Sequence, residues 1–153
     1  MDKEQHKQEA LAFLKSKVVA VIATVTPDHT PEAATIHYVV DDDFNFYFMT
    51  ESNSRKAQNF ISNNNVALVV GTENIPVTVQ VEGKVNQIEN GEELMARYQQ
   101  LSDISHEGKY PPLLEGLKAR SGGTFYKLQP TWLRWTDFRE PSEEMRSPIV
   151  LIP

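Results

Sequence analysis

The chain has 153 residues, which is enough for one domain with a hydrophobic core but short for two. Its formal net charge is −6 and its basic residues are scattered, so general binding to nucleic acid or to an anionic membrane is not expected. The chain contains no cysteine, which excludes disulfides, thiolate metal sites and a cysteine nucleophile.

The N-terminal residues 1–7 are polar and of mixed charge, unlike a signal peptide. No apolar run approaches the roughly 20 residues that a membrane helix requires. The absence of cysteine is also typical of a reducing compartment. We therefore expect a cytoplasmic protein that does not enter a membrane.

In chain order, the first part of the sequence predicts a helix and then three antiparallel strands. Asp2 is suited to cap the helix. Residues 18–25 are β-branched and almost continuously apolar, as in a strand buried on both faces. Pro27-Asp28 and the run Asp41-Asp42-Asp43 are typical of the turns between strands. The predicted elements are a helix over 2–15 and strands over 18–26, 32–40 and 44–50.

The remainder predicts further strands separated by helices. Residues 77–82 alternate apolar and polar side chains, which indicates a half-buried strand, and Gly83 within it indicates a bulge or a close backbone approach. Asn90 with Glu93 is close to a capping box. The predicted helices lie over 54–63, from 90, and over 111–119, and residues 102–110 are predicted to form a polar loop. The predicted strands lie over 66–72, 77–88, 124–128 and 131–138. Pro130 separates the last two strands.

Together these elements predict a single α+β domain over residues 1–153. Its strands alternate or are wholly apolar and most connections are short, so a small closed antiparallel barrel is the most economical arrangement. Residues 139–153 contain three prolines and many polar residues, and we expect them to lie along the surface or against a partner.

The turn after the third strand predicts a site for an anion. Ser54 can cap the following helix, whose first backbone N–H groups lack partners within the helix. Arg55 and Lys56 place two cations in the first turn, where they oppose the helix dipole. A bound phosphate would account for the two cations at this position. The alternative is that Arg55 and Lys56 simply face solvent at the start of the helix.

Taken in order, several segments resemble the pyridoxamine 5'-phosphate oxidase-like FMN-binding split barrels, and especially their small bacterial general-stress-protein members. The resemblance covers about residues 8–138. Each matching segment is short, but the ordered set is fairly specific. The segments are residues 19–25, Pro31, 47–50, 54–59, 65–70, 79–85 and 125–132.

The resemblance implies a six-stranded antiparallel Greek-key split β-barrel with flanking helices, which forms a homodimer with two flavin sites at its interface. In that family the end of the third strand and the start of the next helix hold the FMN phosphate. The preceding strand lines the flavin ring and ribityl chain, and a polar residue of the fifth strand reaches the flavin. For the phosphate, the corresponding residues here are Met49, Thr50, Ser54, Arg55 and Lys56. For the flavin ring and ribityl chain, they are Thr35, His37, Tyr38 and Val39. The polar residue of the fifth strand corresponds to Thr78 or Gln80.

Other candidate residues have simpler interpretations beside the functional one. Trp132 and Trp135 are by type core or interface aromatics, although Trp135 is a candidate for packing against the flavin edge. His37 lies mid-strand among apolar residues, which favours a structural role or a hydrogen bond to flavin over proton transfer. The run of aspartates lacks the Gly and terminal Glu of a calcium loop. We predict no metal, because the histidines are too dispersed: His6, His29, His37 and His106.

The sequence departs from the true oxidases of the family at the substrate end. The strand over 34–40 lacks their Arg and Lys, and Leu133-Arg134-Trp135 is not their C-terminal Arg-x-His motif. We therefore expect an FMN-dependent oxidoreductase with an unidentified small-molecule substrate or electron donor, and not an oxidase of vitamin B6. The alternatives are a non-catalytic flavin-binding or storage protein, or a barrel that uses the deazaflavin F420 or haem, the latter with His37 or His106 as its ligand.

Overall fold

A computed structural model describes residues 2–71, 74–105, 123–139 and 149–153. Within these ranges the chain forms one antiparallel sheet of eight strands and three helices. The helices are α1 (Lys3–Lys15), α2 (Arg55–Ser62) and α3 (Gly91–Ser105). The strands are β1 (Val19–Val25), β2 (Pro31–His37), β3 (Val39–Val40), β4 (Phe46–Glu51), β5 (Asn65–Gly71), β6 (Val77–Gln87), β7 (Gly123–Asp137) and β8 (Ile149–Ile152).

The sheet curls on itself because one stretch of chain contributes to both of its edges. The strand order is β2-β1-β5-β6-β7-β4-β3, and β8 pairs separately with β7. Strands β2 and β3 are separated only by Tyr38, yet β2 pairs with β1 and β3 pairs with β4. The Tyr38 hydroxyl donates to the Leu14 carbonyl at 2.7 Å, and its N–H donates to the Val18 carbonyl at 3.0 Å. Tyr38 therefore fixes the point at which the chain passes from one edge to the other.

The core lies inside the curled sheet and is closed by helices. Alternate residues of β5 and β6 face inwards, as the predicted period of two requires. At one end, Phe60 of α2 packs its ring 5.0 Å from that of Tyr126 and 6.0 Å from that of Phe48, measured between centroids. Phe13 of α1 packs edge-on against Trp135 at 5.6 Å. A second, smaller cluster comprises Val39, Tyr47, Ile88, Leu101 and Phe125.

Several predicted elements are confirmed within a residue or two. Helix α1 begins after Asp2, whose carboxylate accepts from the Gln5 N–H in a complete capping box. Gly83 lies at the predicted bulge: Glu82 pairs with Trp132 while Gly83 pairs with Pro130. A Cβ at Gly83 would lie 2.4 Å from the Gln129 carbonyl oxygen, so the close backbone approach is real as well.

Other expectations were wrong in extent. The sheet has eight strands instead of six, because the predicted strand over 32–40 is interrupted at Tyr38 and because residues 149–152 form β8. Pro130 does not end a strand, since it lies at the bulge, where a missing N–H is tolerated. Helix α3 continues to Ser105, through part of the predicted loop over 102–110. The predicted helix over 111–119 lies outside the described residues.

The chain terminus is also more buried than expected. Strand β8 pairs with β7 through residues 133–135, and Leu151 is 1% exposed within the main core. At least this part of the predicted surface tail, 139–153, is a component of the fold.

Candidate functional site

The junction of β4 and α2 has the local structure expected of an anion site. Ser54 is the N-cap of α2, and its hydroxyl accepts from the Ala57 N–H at 3.3 Å. Its oxygen also lies 3.1 Å from the hydroxyl of Thr50, which ends the buried part of β4. The first turn of α2 contains no acidic residue. Two hydroxyls, the helix start and two cations are thus brought together at one rim of the barrel.

Arg55 is anchored at this rim by a carboxylate from β2. Its Nη2 forms an ion pair with Oε2 of Glu32, while the Arg55 side chain is 85% exposed and that of Glu32 is 13% exposed. The other oxygen of Glu32 accepts from Nδ2 of Asn59 at 2.8 Å. The same nitrogen lies 2.9 Å from the Thr24 hydroxyl, and Asn59 is itself buried. A continuous polar chain therefore runs from Thr24 in the core, through Asn59 and Glu32, to Arg55 at the surface.

Lys56 differs from Arg55 in its surroundings. The side chain is partly buried, and this burial lowers the pKa of Lys56, while the charge of Glu51 acts in the opposite direction. Among the described residues no carboxylate lies within 4.0 Å of the Lys56 ammonium. The site thus presents one exposed, paired guanidinium and one partly desolvated ammonium.

Strand register places other predicted residues in one row on the outer face of the sheet. Thr35, Val21, Val69, Gln80 and Arg134 are successive cross-strand neighbours from β2 to β7. Thr35 and Gln80 are three strand spacings apart, or about 14 Å, so they share a face but do not touch. The Arg134 Nη2 donates to the Gln80 side-chain oxygen. A flavin contact made through the Gln80 side-chain oxygen would therefore share that oxygen with Arg134, whereas the Gln80 amide N–H groups are not used in this hydrogen bond.

The same surface contains an apolar patch, which we call the outer apolar face: Val19, Val21, Ala23, Ala67 and Val69. The three valines are 38–41% exposed, which is unusual for adjacent β-branched residues in the middle of a sheet. A shallow groove of about 260 Å³ follows this face towards Gln80 and Trp132.

The other predicted contacts lie elsewhere. Tyr38 and Trp135 are 1% and 2% exposed inside the main core, and burial raises the pKa of the Tyr38 phenol. Val39 belongs to the smaller cluster and Met49 packs against it. His37 is half-buried opposite Val19, and Thr78 is half-buried opposite Gly71. The structure therefore assembles Thr50, Ser54, Arg55 and Lys56, places Thr35 and Gln80 on one outer face, and encloses Tyr38 and Trp135 in the core.

Sequence reasoning missed Glu32, Asn59 and Thr24. The one available signal was Asn59, a polar residue on the side of α2 that also carries the buried Ala57 and Phe60. Nothing local indicated that Glu32 would meet a residue 23 positions further along the chain.

Among the described residues, no group of three or more His, Asp or Glu side chains is placed to hold a metal ion. In the same parts of the chain, no helix has the length and hydropathy needed to cross a bilayer.

Comparison with known proteins supports the fold and the family. The family model described as pyridoxamine 5'-phosphate oxidase matches residues 6–134. A pyridoxine/pyridoxamine 5'-phosphate oxidase of Nostoc sp. is 32% identical over 90 residues, which cover 59% of this chain and 42% of the relative. This match therefore takes in less than half the length of the curated relative.

Two solved structures show the same architecture at low identity. A protein related to general stress protein 26, from Clostridium acetobutylicum, has a TM-score of 0.69 at 13% identity, over 98% of this chain and 95% of that chain. A haem-binding protein of Mycobacterium smegmatis has a TM-score of 0.71 at 15% identity, over 95% of this chain and 57% of that chain. With the curled sheet, these likenesses define an α+β protein of the split-barrel type. The family match is the more specific result, and the chain belongs to the pyridoxamine 5'-phosphate oxidase family.

Proposed function

We propose that this protein binds FMN at the β4–α2 junction and acts as a flavin-dependent oxidoreductase on a small molecule. The observation that carries the proposal is the convergence of Thr50, Ser54, Arg55 and Lys56 at the start of α2. Hydroxyls, a helix N-terminus and cations together suit a phosphate, which requires both hydrogen-bond donors and positive charge. Membership of a family named for a phosphate-bearing substrate is consistent with this assignment.

The residues present fit the phosphate end of FMN. Because one of the Thr50 and Ser54 hydroxyls donates to the other, the hydroxyl that accepts would donate to the phosphate. The first N–H groups of α2 would point towards the phosphate, and Arg55 and Lys56 would neutralise its charge. Bound FMN would supply hydride transfer, which no side chain of this protein provides. The protein's contribution would be to hold the cofactor by its phosphate and to line its ring with the outer face of β2 and β6, including Thr35 and Gln80.

The outer apolar face supports a homodimer as the functional unit. Its valines lie beside Thr35 and Gln80 in the register of the sheet, so a second copy seated there would cover both the patch and the proposed ring site. Exposed apolar surface of this kind on a sheet typically marks a protein interface. The proposed dimer is cytoplasmic and holds one flavin site at each side of its interface.

The proposal excludes vitamin B6 as the substrate. Residues 34–40 offer no Arg or Lys for a substrate phosphate, and the structure places Tyr38 in the core at this point. The curated oxidase relatives match over only 42% of their length, so their activity does not transfer with the match.

Haem is a second candidate, because His37 is half-buried on the outer side of β2 and a haem-binding protein shares the fold. Haem would require an iron ligand, for which the candidates are His37 and His106, and His106 lies outside the described residues. Haem would not require Arg55 and Lys56 to bind a phosphate. The two candidates therefore depend on different residues.

The first experiment is the absorbance spectrum of the protein as purified, followed by titration with FMN, F420 and haem. We expect a flavin spectrum and saturable binding of FMN. Haem or F420 binding without FMN binding would replace the proposed cofactor, and no binding of any of them would refute the proposal. Stopped-flow reduction of the FMN complex by NADH or NADPH then separates an enzyme from a binding protein. Reduction no faster than that of free FMN would favour a non-catalytic flavin-binding or storage protein.

A further inference from the structure

The side chain of Glu32 is engaged at both oxygens by α2. Oε2 pairs with the Arg55 guanidinium, and Oε1 accepts from Asn59 at 2.8 Å. Asn59 in turn contacts Thr24, which is the backbone neighbour of Glu32 across β1 and β2. Two strands and a helix therefore hold this carboxylate in place, unlike a carboxylate on a freely rotating surface side chain.

This arrangement places a fixed negative charge on the cation that the proposed cofactor needs. Arg55 pairs with Glu32 through Nη2 and its side chain is 85% exposed, so most of the guanidinium remains accessible to a ligand. A phosphate that binds Arg55 would share the guanidinium with Glu32 or displace it. In both cases the negative charges of the phosphate and of the Glu32 carboxylate come close together. Glu32 is partly buried, so solvent screens their repulsion less than it would at the surface.

We propose that Glu32 is a specificity-determining residue that competes with the ligand phosphate for Arg55. This inference rests on the proposed binding of FMN at the same site. Glu32 neutralises Arg55 and lowers the affinity for a phosphorylated flavin, while a flavin without a phosphate is unaffected. Glu32 thus reduces the difference in affinity between FMN and riboflavin.

Glu32→Gln is the sharpest test because it removes the charge and keeps an oxygen that can accept from Asn59. The matched control is Glu9→Gln, which makes the same change in net charge at an exposed position of α1. FMN and riboflavin affinities are measured by quenching of flavin fluorescence for the wild type and both variants. Melting temperatures establish that each variant is folded. If Glu32→Gln is unstable, the double variant Glu32→Ala/Asn59→Ala replaces it, because it removes the charge together with the buried amide that donates to Glu32.

We expect Glu32→Gln to bind FMN about tenfold more tightly, with riboflavin affinity unchanged and with Glu9→Gln like the wild type. Unchanged or weaker FMN binding by Glu32→Gln would overturn the inference, and weaker binding would make Glu32 a positioning residue for Arg55. If the inference fails but the wild type still binds FMN more tightly than riboflavin, the proposed function stands. If none of the proteins binds FMN, both the proposed function and the inference fail.

Discussion

Removing both cations from the first turn of α2 is the most informative perturbation of the proposed site. In the double variant Arg55→Ala/Lys56→Ala, a phosphate would lose two charged donors and keep Thr50, Ser54 and the helix N–H groups. A hydrogen bond to a charged group contributes about 1.5–3 kcal/mol, so the pair contributes about 3–6 kcal/mol if the two are additive. The Kd for FMN should therefore rise by about two to four orders of magnitude.

The same structure predicts a small effect of this double variant on stability. The Arg55 side chain is 85% exposed but its partner Glu32 is only 13% exposed, so losing the ion pair should cost somewhat more than the about 0–1 kcal/mol of a fully exposed pair, while Glu32 keeps its hydrogen bond from Asn59. The core residues of α2, Ala57 and Phe60, are untouched. Circular dichroism should show a cooperative transition within a few degrees of the wild type.

Flavin fluorescence titration with FMN and riboflavin provides the assay. Riboflavin, which lacks the phosphate, should bind the wild type and the double variant equally. Lys3→Ala/Lys7→Ala removes the same charge from the start of α1 and should leave both affinities unchanged. The reasoning would be refuted by an FMN affinity within about threefold of the wild type, or by an equal loss of riboflavin binding, since about 0.6 kcal/mol is less than one charged contact.

Three further predictions test the interface and the fold. Val21→Asp, at the centre of the outer apolar face, should convert the proposed dimer to a folded monomer, as measured by light scattering. The control Ile61→Asp, on α2, should remain a dimer. If both variants remain dimers, the interface does not lie on the outer apolar face. Leu151→Ala should cost about 2–5 kcal/mol in urea unfolding because Leu151 is buried in the core, and Val150→Ala on the same strand should cost much less; equal small losses would show that β8 is dispensable. Burial alone would raise the pKa of Asp41, but hydrogen bonds from Asn45, Tyr47 and the Asp43 N–H outweigh it and lower that pKa. Asp41 therefore stabilises the fold above its unfolded pKa of about 3.9, and the stability lost in Asp41→Asn at pH 7 should shrink as the pH falls below about 4; a pH-independent difference would contradict this.

Features that depend on neighbouring residues were predictable from the sequence. The cap at Ser54, the cap at Asp2 and the bulge at Gly83 each follow from side-chain chemistry or backbone sterics within a few positions. The period-two alternation of β6 likewise predicted its buried face, because that alternation reflects the pleat of a strand.

Features that depend on distant pairing were not predictable in the same way. The passage of the chain from one sheet edge to the other at Tyr38 requires knowledge of both β1 and β4. The bulge across from Gly83 inserts an extra residue, Thr131, into β7, which changes which later residues face the core. Trp135 consequently lies inside the barrel. The contact of Arg55 with Glu32 was not predictable either, because it depends on β2 and α2 lying side by side.

The most direct test of the proposed cofactor site is a crystal structure of the protein grown with FMN. We expect the FMN phosphate within about 3 Å of the Ser54 and Thr50 hydroxyls and of the first N–H groups of α2, with Arg55 and Lys56 at its side. The flavin ring should lie over the outer face of the sheet, between two copies of the chain. An FMN phosphate bound away from α2, or density at the site only for another cofactor, would contradict the assignment.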